Sequence, residues 1–250
     1  MRLDRYLSER TEYSRSRIKE LIGAKKILVN GMPALKANVN ITESDAVEIA
    51  GKPVRQSKYI TLLLNKPAGY VSATEDKTEK TVTDLLPPEY RGQGLAPAGR
   101  LDKDTEGFLI LSNDGDLLHE LTSPIKHIPK YYTAELAREF TEEAKRLIAE
   151  GITLKDGTKC LPARAEEIDD EGRKILICLH EGKYHQVKRM LAATGNHVEK
   201  LRRIAMGNKT LPENLAPGEV TVLLNKDLSE VLKAEDIFLP LLKSLGKCSS

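Results

Sequence analysis

The sequence predicts an α+β protein with two domains, a small one at the N-terminus and a larger one behind it. Residues 1–54 combine two short helical patterns with a few short strand patterns. Residues 59–235 contain longer apolar runs, typical of buried strands, with helical segments between them. The polar residues 55–58 predict a linker. We expect residues 236–250 to hold the end of the last helix and a tail.

The small domain has the pattern of two helices followed by a small sheet. Residues 1–9 carry apolar side chains at helical spacing, and Ser14 is the expected N-cap of a second helix that ends at Gly23. Residues 25–31 form an expected strand that runs into an Asn-Gly hairpin turn. Residues 45–49 alternate between apolar and polar side chains, which predicts a further strand.

The larger domain alternates strand and helix patterns. Strands are predicted at residues 59–64, 108–111, 130–136, 174–179, 197–203 and 220–224. Turns are predicted at 65–70 and 155–158, and one helical turn at 83–86. Longer helices are predicted at 114–123, at 142–150 behind Thr141, at 187–195 and from about Ser229 onwards.

Composition limits the classes of protein that fit. No run approaches the roughly 18 apolar residues of a membrane span, and the N-terminus lacks the apolar core of a signal peptide. The three cysteines are far apart and fit no metal spacing and no disulfide framework. We therefore expect a cytoplasmic protein without a metal.

Positive charge is concentrated in two zones, although the net charge is only +2. Residues 1–30 carry eight Lys and Arg against four Asp and Glu, and residues 183–209 carry seven against one. This distribution indicates an anionic partner held at two places, with nucleic acid as the leading candidate. Taken singly, each zone fits a solvated surface equally well.

The segment Gly99–Gly107 concentrates three carboxylates, Asp102, Asp104 and Glu106, in front of an apolar strand. In extended backbone they share one face, which suggests a metal site or water. Because Arg100 and Lys103 lie among them, and no His or Cys is near, an ionised carboxylate acting as nucleophile or base is the other possibility. Composition alone favours a solvated turn.

Gly-Arg-Leu-Asp-x-x-Thr-x-Gly followed by an apolar run resembles the signature loop of the RNA pseudouridine synthases. The resemblance implies that Asp102 is the catalytic residue. Two further motifs follow in the family's order, and residues 65–70 resemble its first motif. Lys-x-Tyr at residues 130–132 implies that Tyr132 packs on the target base, with Tyr131 on the opposite face. A one-residue shift of register would exchange the two tyrosines.

The helix that begins near residue 186 resembles the third family motif. The match implies that Lys188 is the cation that pairs with Asp102 and keeps it ionised. Alone, this helix would be assigned a solvated basic face. A general-base role for His185 is the weaker hypothesis, because the family supplies no such role.

Residues 1–54 resemble a small RNA-binding module first known from a protein of the small ribosomal subunit. The supporting patterns are Arg-Leu-Asp-Arg-Tyr-Leu, Ser-Arg-Ser-Arg and Ile-Leu-Val-Asn-Gly. Contacts to RNA phosphates are expected here from Arg15, Arg17, Lys19, Lys25, Lys26 and Asn30. In the larger domain RNA contacts are expected from Arg100, Lys183, His185, Gln186, Arg189, Arg202 and Arg203.

Within the family, the chain is similar to the ribosomal small-subunit pseudouridine synthase A group. That similarity implies a mixed, mainly antiparallel sheet with flanking helices and isomerisation of one uridine of 16S rRNA without a cofactor. The implied partner is 16S rRNA or the assembling small subunit, bound by a monomer. Sister groups act on 23S rRNA. Lys183 stands where the family more often has Arg, and residues 204–208 stand where the family has a more glycine-rich segment. Both differences concern RNA contacts and therefore which uridine is modified.

Three other functions were weighed. The basic zones fit a non-catalytic ribosome-assembly factor equally well, and only Asp102, Tyr132 and Lys188 argue against it. A carbohydrate hydrolase would need two suitably spaced carboxylates and an aromatic-rich cleft, whereas this chain has no Trp and 4% aromatic residues. A nucleotide-using enzyme lacks support because no phosphate-binding glycine loop precedes a helix.

Overall fold

The fold consists of two compact units, Met1–Ile60 and the residues from Thr61 onwards. A computed structural model describes residues 1–11, 13–42, 44–54 and 59–246. The predicted linker at 55–58 and the last four residues of the expected tail lie outside the described residues.

The first unit contains two helices and a small sheet, as predicted, and this sheet has four antiparallel strands. The elements are α1 (Leu3–Arg10), α2 (Arg15–Gly23), β1 (Ile27–Val29), β2 (Met32–Pro33), β3 (Val47–Ile49) and β4 (Lys52–Pro53), with the strand order β2-β1-β3-β4. The Ser14 hydroxyl accepts a hydrogen bond from the Arg17 N–H and caps α2. Asn30 and Gly31 both have positive φ, as a two-residue hairpin requires.

The second unit is built around one large sheet. Its strands are β5 (Thr61–Lys66), β6 (Ala96–Pro97), β7 (Glu106–Ser112), β8 (Lys130–Leu136), β9 (Arg164–Glu167), β10 (Lys174–Leu179), β11 (Val198–Met206), β12 (Lys209–Thr210) and β13 (Val220–Val222). Its helices are α3 (Gly115–Thr122), α4 (Glu142–Glu150), α5 (Gln186–Ala193), α6 (Asn225–Val231) and α7 (Phe238–Ser244). Short 3₁₀ turns occupy Val82–Leu85, Pro88–Tyr90 and Pro124–Lys126. No helix in the described part of the chain is long and apolar enough to cross a membrane.

The large sheet is mixed but mainly antiparallel, which confirms the prediction. Its order is β13-β5-β7-β11-β8-β10-β9, with β12 beside β11 and β6 beside β7. Strands β7 and β11 form the one parallel pair among the described strands. The strand β8 alternates in burial, and Tyr131 lies in a core with Cys178 and Phe238 while Tyr132 lies on the opposite face. The expected register of β8 is therefore confirmed.

The C-terminal prediction was wrong in part. The helix expected from Ser229 begins at Asn225, because the Asp227 carboxylate accepts a hydrogen bond from the Leu224 N–H and caps it there. A further helix, α7, follows it, and its Phe238 and Leu241 are buried in the same core as Tyr131. Residues 236–246 thus belong to the packed second unit and are not a tail.

Gly107 lets the parallel strands β7 and β11 approach closely. Its φ is +101°, and a Cβ atom at this position would lie 2.2 Å from the Arg203 carbonyl oxygen. A side chain here meets backbone, which cannot move without breaking the strand pair. This glycine therefore fixes the position of Arg203 relative to the loop in front of β7.

We expect Gly107→Ala to lower the free energy of unfolding by at least about 3 kcal/mol, since it adds a backbone clash to a positive φ. Gly157→Ala is the matched control. It shares the positive φ, at +82°, but has no atom within 4 Å of the added Cβ, so it should cost about 1 kcal/mol. Chemical denaturation of both variants measures the difference. If both variants lose the same free energy of unfolding, the close contact between β7 and β11 does not exclude a side chain at residue 107.

Candidate active site

A pocket of about 560 Å³ opens beside the loop that carries Asp102. The lining comes from this loop, from the end of α3, from the facing strands β8 and β11, and from residues 180–185 in front of α5. The pocket thus brings together the signature loop with Tyr132 and His185, which are far apart in sequence.

The loop is held from below by Lys66, whose side chain is fully buried. Its ammonium donates hydrogen bonds to the carbonyl oxygens of Pro67 (3.0 Å), Asp102 (3.1 Å), Lys103 (3.2 Å) and Thr105 (2.8 Å). Because β5 continues to Lys66, the turn predicted at 65–70 begins one or two residues later than expected. One buried cation thereby organises the backbone of Asp102 and of the residues that follow it.

Two further contacts hold the same loop. The Gly69 N–H, at a φ of +92°, donates to the Lys103 carbonyl at 2.7 Å. The Ser72 hydroxyl donates to the Leu101 carbonyl at 2.9 Å and accepts from the Leu101 N–H at 3.0 Å. The segment after β5 therefore holds the loop through hydrogen bonds to the loop's backbone.

Burial lowers the pKa of Lys66 to about 8, against the opposing effect of the carboxylates of Asp104, Asp102 and Glu106. The three acids of the loop thus have a shared electrostatic role, because they favour the charged form of the buried ammonium. Within the described residues, no group of three or more His, Cys, Asp or Glu side chains is arranged to hold a metal ion.

Two basic side chains of the α5 region face the Asp102 carboxylate. His185 Nε2 lies 3.2 Å from Oδ1, and Lys188 Nζ lies 3.5 Å from Oδ2. Lys188 is nearer to Asp104, at 2.5 Å from Oδ1, and this hydrogen bond lowers the pKa of Asp104. Lys188 is thus within ion-pair distance of Asp102, as the motif implies, but it is shared between two carboxylates.

His185 has a defined geometry. It precedes α5 with a left-handed φ of 48°, which is uncommon for a residue other than glycine. Its ring stacks on that of Tyr184, with centroids 3.8 Å apart. Sequence analysis expected His185 to contact RNA, and the structure places it directly against Asp102.

Tyr132 and Arg203 lie side by side on the floor of the pocket. They are paired across strands β8 and β11, so their side chains project to the same face. The Arg203 guanidinium carbon lies 6.0 Å from the Tyr132 ring centroid, and Nε donates to the Phe108 carbonyl at 2.7 Å. Tyr132 is 8% exposed and Arg203 2% exposed, so both belong to the pocket interior.

The predicted RNA-binding residues of the first unit are all exposed. Arg17 is engaged in an ion pair with Glu20 at 2.7 Å. The Asn30 amide donates to Asp45 at 2.7 Å and accepts from the Ala46 N–H at 2.9 Å, so it stabilises the turn. The side chains that project freely enough for phosphate contacts include Arg15, Lys19, Lys25 and Lys26.

The predicted RNA-binding residues of the second unit differ in accessibility. Arg100 is exposed at the edge of the pocket, and Arg202 is half-buried. Lys183 pairs with the Glu181 carboxylate at 2.6 Å. Arg189 pairs with Asp156, in the turn predicted at 155–158, at 2.5 Å.

Gln186 and Arg203 are buried. Gln186 is 4% exposed, and its amide bonds internally, donating to Glu181 at 2.5 Å and accepting from the Lys183 N–H at 2.9 Å. Arg203 is the pocket residue described above, so any contact that it makes with RNA lies inside the pocket and not along an outer strand surface.

Sequence analysis did not identify two lysines of the site. Lys66 was part of a motif interpreted as a turn, and Lys130 began a strand pattern, so neither was assigned a role. A lysine inside an apolar strand run was the available signal, because a charged residue is buried only where it has partners.

Comparison with known proteins places these observations in a family. The family model described as RNA pseudouridylate synthase matches residues 60–193, and an S4 domain model matches residues 1–47. The chain belongs to the RNA pseudouridine synthase family. It is therefore an isomerase, and its N-terminal unit is an S4 RNA-binding domain.

Individual relatives resemble almost the whole chain. An uncharacterised RNA pseudouridine synthase of Bacillus subtilis (strain 168) is 42% identical, over 91% of this chain and 97% of the relative. The ribosomal small subunit pseudouridine synthase A of Escherichia coli (strain K12) is 36% identical, over 93% of this chain and 100% of the relative. A crystal structure of a pseudouridylate synthase is similar with a TM-score of 0.65 and 33% identity, covering 92% of this chain and 99% of that one.

We expect Lys66→Met to lower the free energy of unfolding by about 2–4 kcal/mol, because it leaves buried carbonyl oxygens without a donor. The Thr105 N–H, which donates to the backbone carbonyl of Asp102, should lose protection in amide hydrogen exchange. The control Lys209→Met removes a lysine paired with Asp227 at 2.8 Å and should cost at most about 1 kcal/mol. If exchange at Thr105 stays as slow as in the unmodified protein, Lys66 does not organise the loop.

Proposed function

We propose that this isomerase acts on ribosomal RNA and that Asp102 is its catalytic carboxylate. The observation that carries the proposal is the placement of Asp102 at the pocket, between His185 and Lys188 and on a loop fixed by a buried cation. A carboxylate held in this way has a defined direction, as a group that acts on a bound base must have.

The proposed substrate is one uridine of 16S rRNA. Several relatives that cover 92–93% of this chain, at 34–37% identity, are named ribosomal small subunit pseudouridine synthase A. A uridine of 23S rRNA is the alternative target, because sister groups combine the same two domains. The proposed enzyme works as a cytoplasmic monomer and needs no cofactor, since substrate and product are isomers.

The isomerisation exchanges one bond to ribose for another. The N1–C1′ bond breaks, a C5–C1′ bond forms, and the hydrogen on C5 is replaced while N1 gains one. Asp102 acts on the uridine while the base is detached, as a nucleophile or as a stabilising charge. Tyr132 stacks on the base from the sheet, and Lys188 keeps the carboxylate ionised and oriented.

Binding of RNA must supply energy to extrude the target uridine from its helix, at a cost of a few kcal/mol. In this proposal the exposed cations of the S4 domain, Arg15, Lys19, Lys25 and Lys26, contact phosphates and offset this cost. Arg100, at the edge of the pocket, and Arg202, on β11, act in the same way. Such contacts hold RNA in register without reading its sequence.

We expect Asp102→Asn to lower the rate of pseudouridine formation by at least about 10³-fold while the Kd for RNA stays within about 3-fold, since the shape is kept and the charge is lost. Asp104→Asn removes a neighbouring carboxylate that is 73% exposed, and it should retain activity within about 10-fold. Single-turnover assays and filter binding measure both quantities. If Asp102→Asn forms pseudouridine at the full rate, Asp102 is not the catalytic carboxylate.

A pseudouridine map of 16S and 23S rRNA from cells that lack this protein tests the substrate. We expect one pseudouridine of 16S rRNA to disappear and to return with the unmodified gene but not with Asp102→Asn. Loss of a single site in 23S rRNA would instead assign the chain to a sister group. An unchanged map would favour a non-catalytic role in ribosome assembly.

A further inference from the structure

The floor of the pocket carries a buried arginine and a half-buried lysine that the functions assigned above do not use. Lys130 and Arg203 both line it. Lys130 lies two residues before Tyr132 on β8, and Arg203 pairs with Tyr132 from β11, so all three side chains belong to one face of the sheet. A bulge in β11 directly behind Arg203 adjusts the direction of the strand at this point.

Neither cation is neutralised by a carboxylate of the pocket. Arg203 donates from Nε to the Phe108 carbonyl, while its buried Nη2 finds no hydrogen-bond partner in the described part of the chain. Lys130 donates to the Ile128 carbonyl at 2.9 Å. The acids that line the pocket, Asp102 and Glu181, are paired with other cations, Lys188 and Lys183 respectively.

The remaining charged groups around these cations do not change this conclusion. Burial lowers the pKa of Lys130 to about 8, and the nearby Arg203 adds to that effect. His180 lines the same end of the pocket, and burial lowers its pKa, which favours the neutral ring. Asp236 acts on His180, but its carboxylate is 64% exposed and lies 3.5 Å from Arg164. The buried Nη2 donor of Arg203 is costly to leave without a partner. This cost indicates that a hydrogen-bond acceptor lies against Nη2 during function.

The reaction supplies such an acceptor. When the N1–C1′ bond breaks, the electron pair remains on N1, and the resulting negative charge is shared with the carbonyl oxygens O2 and O4 of the base. We propose that Arg203 and Lys130 form an anion-binding floor that stabilises the detached uracil while it turns. The pair returns to bonding when C5 joins C1′, the C5 proton is released and N1 takes up a proton, so no other reactant is needed.

This arrangement would also retain the base during the step in which no covalent bond joins it to ribose. A half-turn of the detached base about the axis through N3 and C6 exchanges N1 with C5 and O2 with O4, so a carbonyl oxygen again faces each cation. Charge on the floor of a pocket that excludes water acts strongly, because the local dielectric is low. The inference rests on the function proposed above and adds two catalytic groups to it.

The test compares uridine with 5-fluorouridine at the target position, in a transcript of the rRNA that the pseudouridine map identifies. Fluorine withdraws electrons from the ring, so the fluorinated base leaves more easily as an anion and needs less help from the protein. Lys130→Met should lower the single-turnover rate by about 10²-fold on uridine, as loss of one stabilising donor does elsewhere, but by only about 10-fold on 5-fluorouridine. Loss of the N-linked nucleoside measures both rates. It is followed by chromatographic separation of the digested RNA, because the C-linked isomer has the same mass.

Two further variants complete the design. Arg203→Lys keeps a charge in place of the buried guanidinium, and it should shift the ratio of the two rates in the same direction. Lys145→Met removes a half-buried lysine that pairs with Glu166 on the far side of the sheet domain, and it should leave both rates unchanged. If Lys130→Met and Arg203→Lys lower both rates by the same factor, or lower neither, the anion-binding floor is wrong. Unmodified protein that converts neither RNA would overturn the proposed function itself, and this inference with it.

Discussion

The hydrogen bonds of Lys66 are the interaction on which the rest of the site depends. A fully buried ammonium that binds four carbonyl oxygens cannot be moved without exposing all of them, so the Asp102 loop has one conformation. The cost of burying this charge is offset by those dipoles and by three nearby carboxylates. The acidic residues of the signature loop thus help to retain the cation that fixes the loop.

The pocket is lined by a carboxylate and by cations, and their placement follows from the fold. The carboxylate of Asp102 is on a loop in front of β7, while the cations Lys130 and Arg203 project from the adjacent strands β8 and β11. The close approach at Gly107 holds β7 against β11 and so fixes the loop in front of β7 relative to Arg203. In the proposed mechanism, a base bound in this pocket would meet the carboxylate at its sugar side and the cations at its carbonyl oxygens.

Much of the fold could be predicted from local patterns, but the interior polar contacts could not. The strands at 130–136 and 174–179 and the helix at 142–150 were predicted with their observed bounds, because their periodicity and caps are local properties. The burial of Lys66 and Arg203 depends on carbonyl oxygens 39 and 95 residues away, which no short window of sequence contains. The last helix was missed because its apolar face is explained only by the core around Tyr131.

The two carboxylate contacts of Lys188 differ in how strongly water screens them. With Asp104 73% exposed and Asp102 23% exposed, the shorter contact of Lys188 is the one that water screens more strongly. Asp102 is also contacted by His185, so two side chains of the α5 region fix its direction. In the proposed mechanism, this less screened pair is the one that orients the carboxylate that acts on the base.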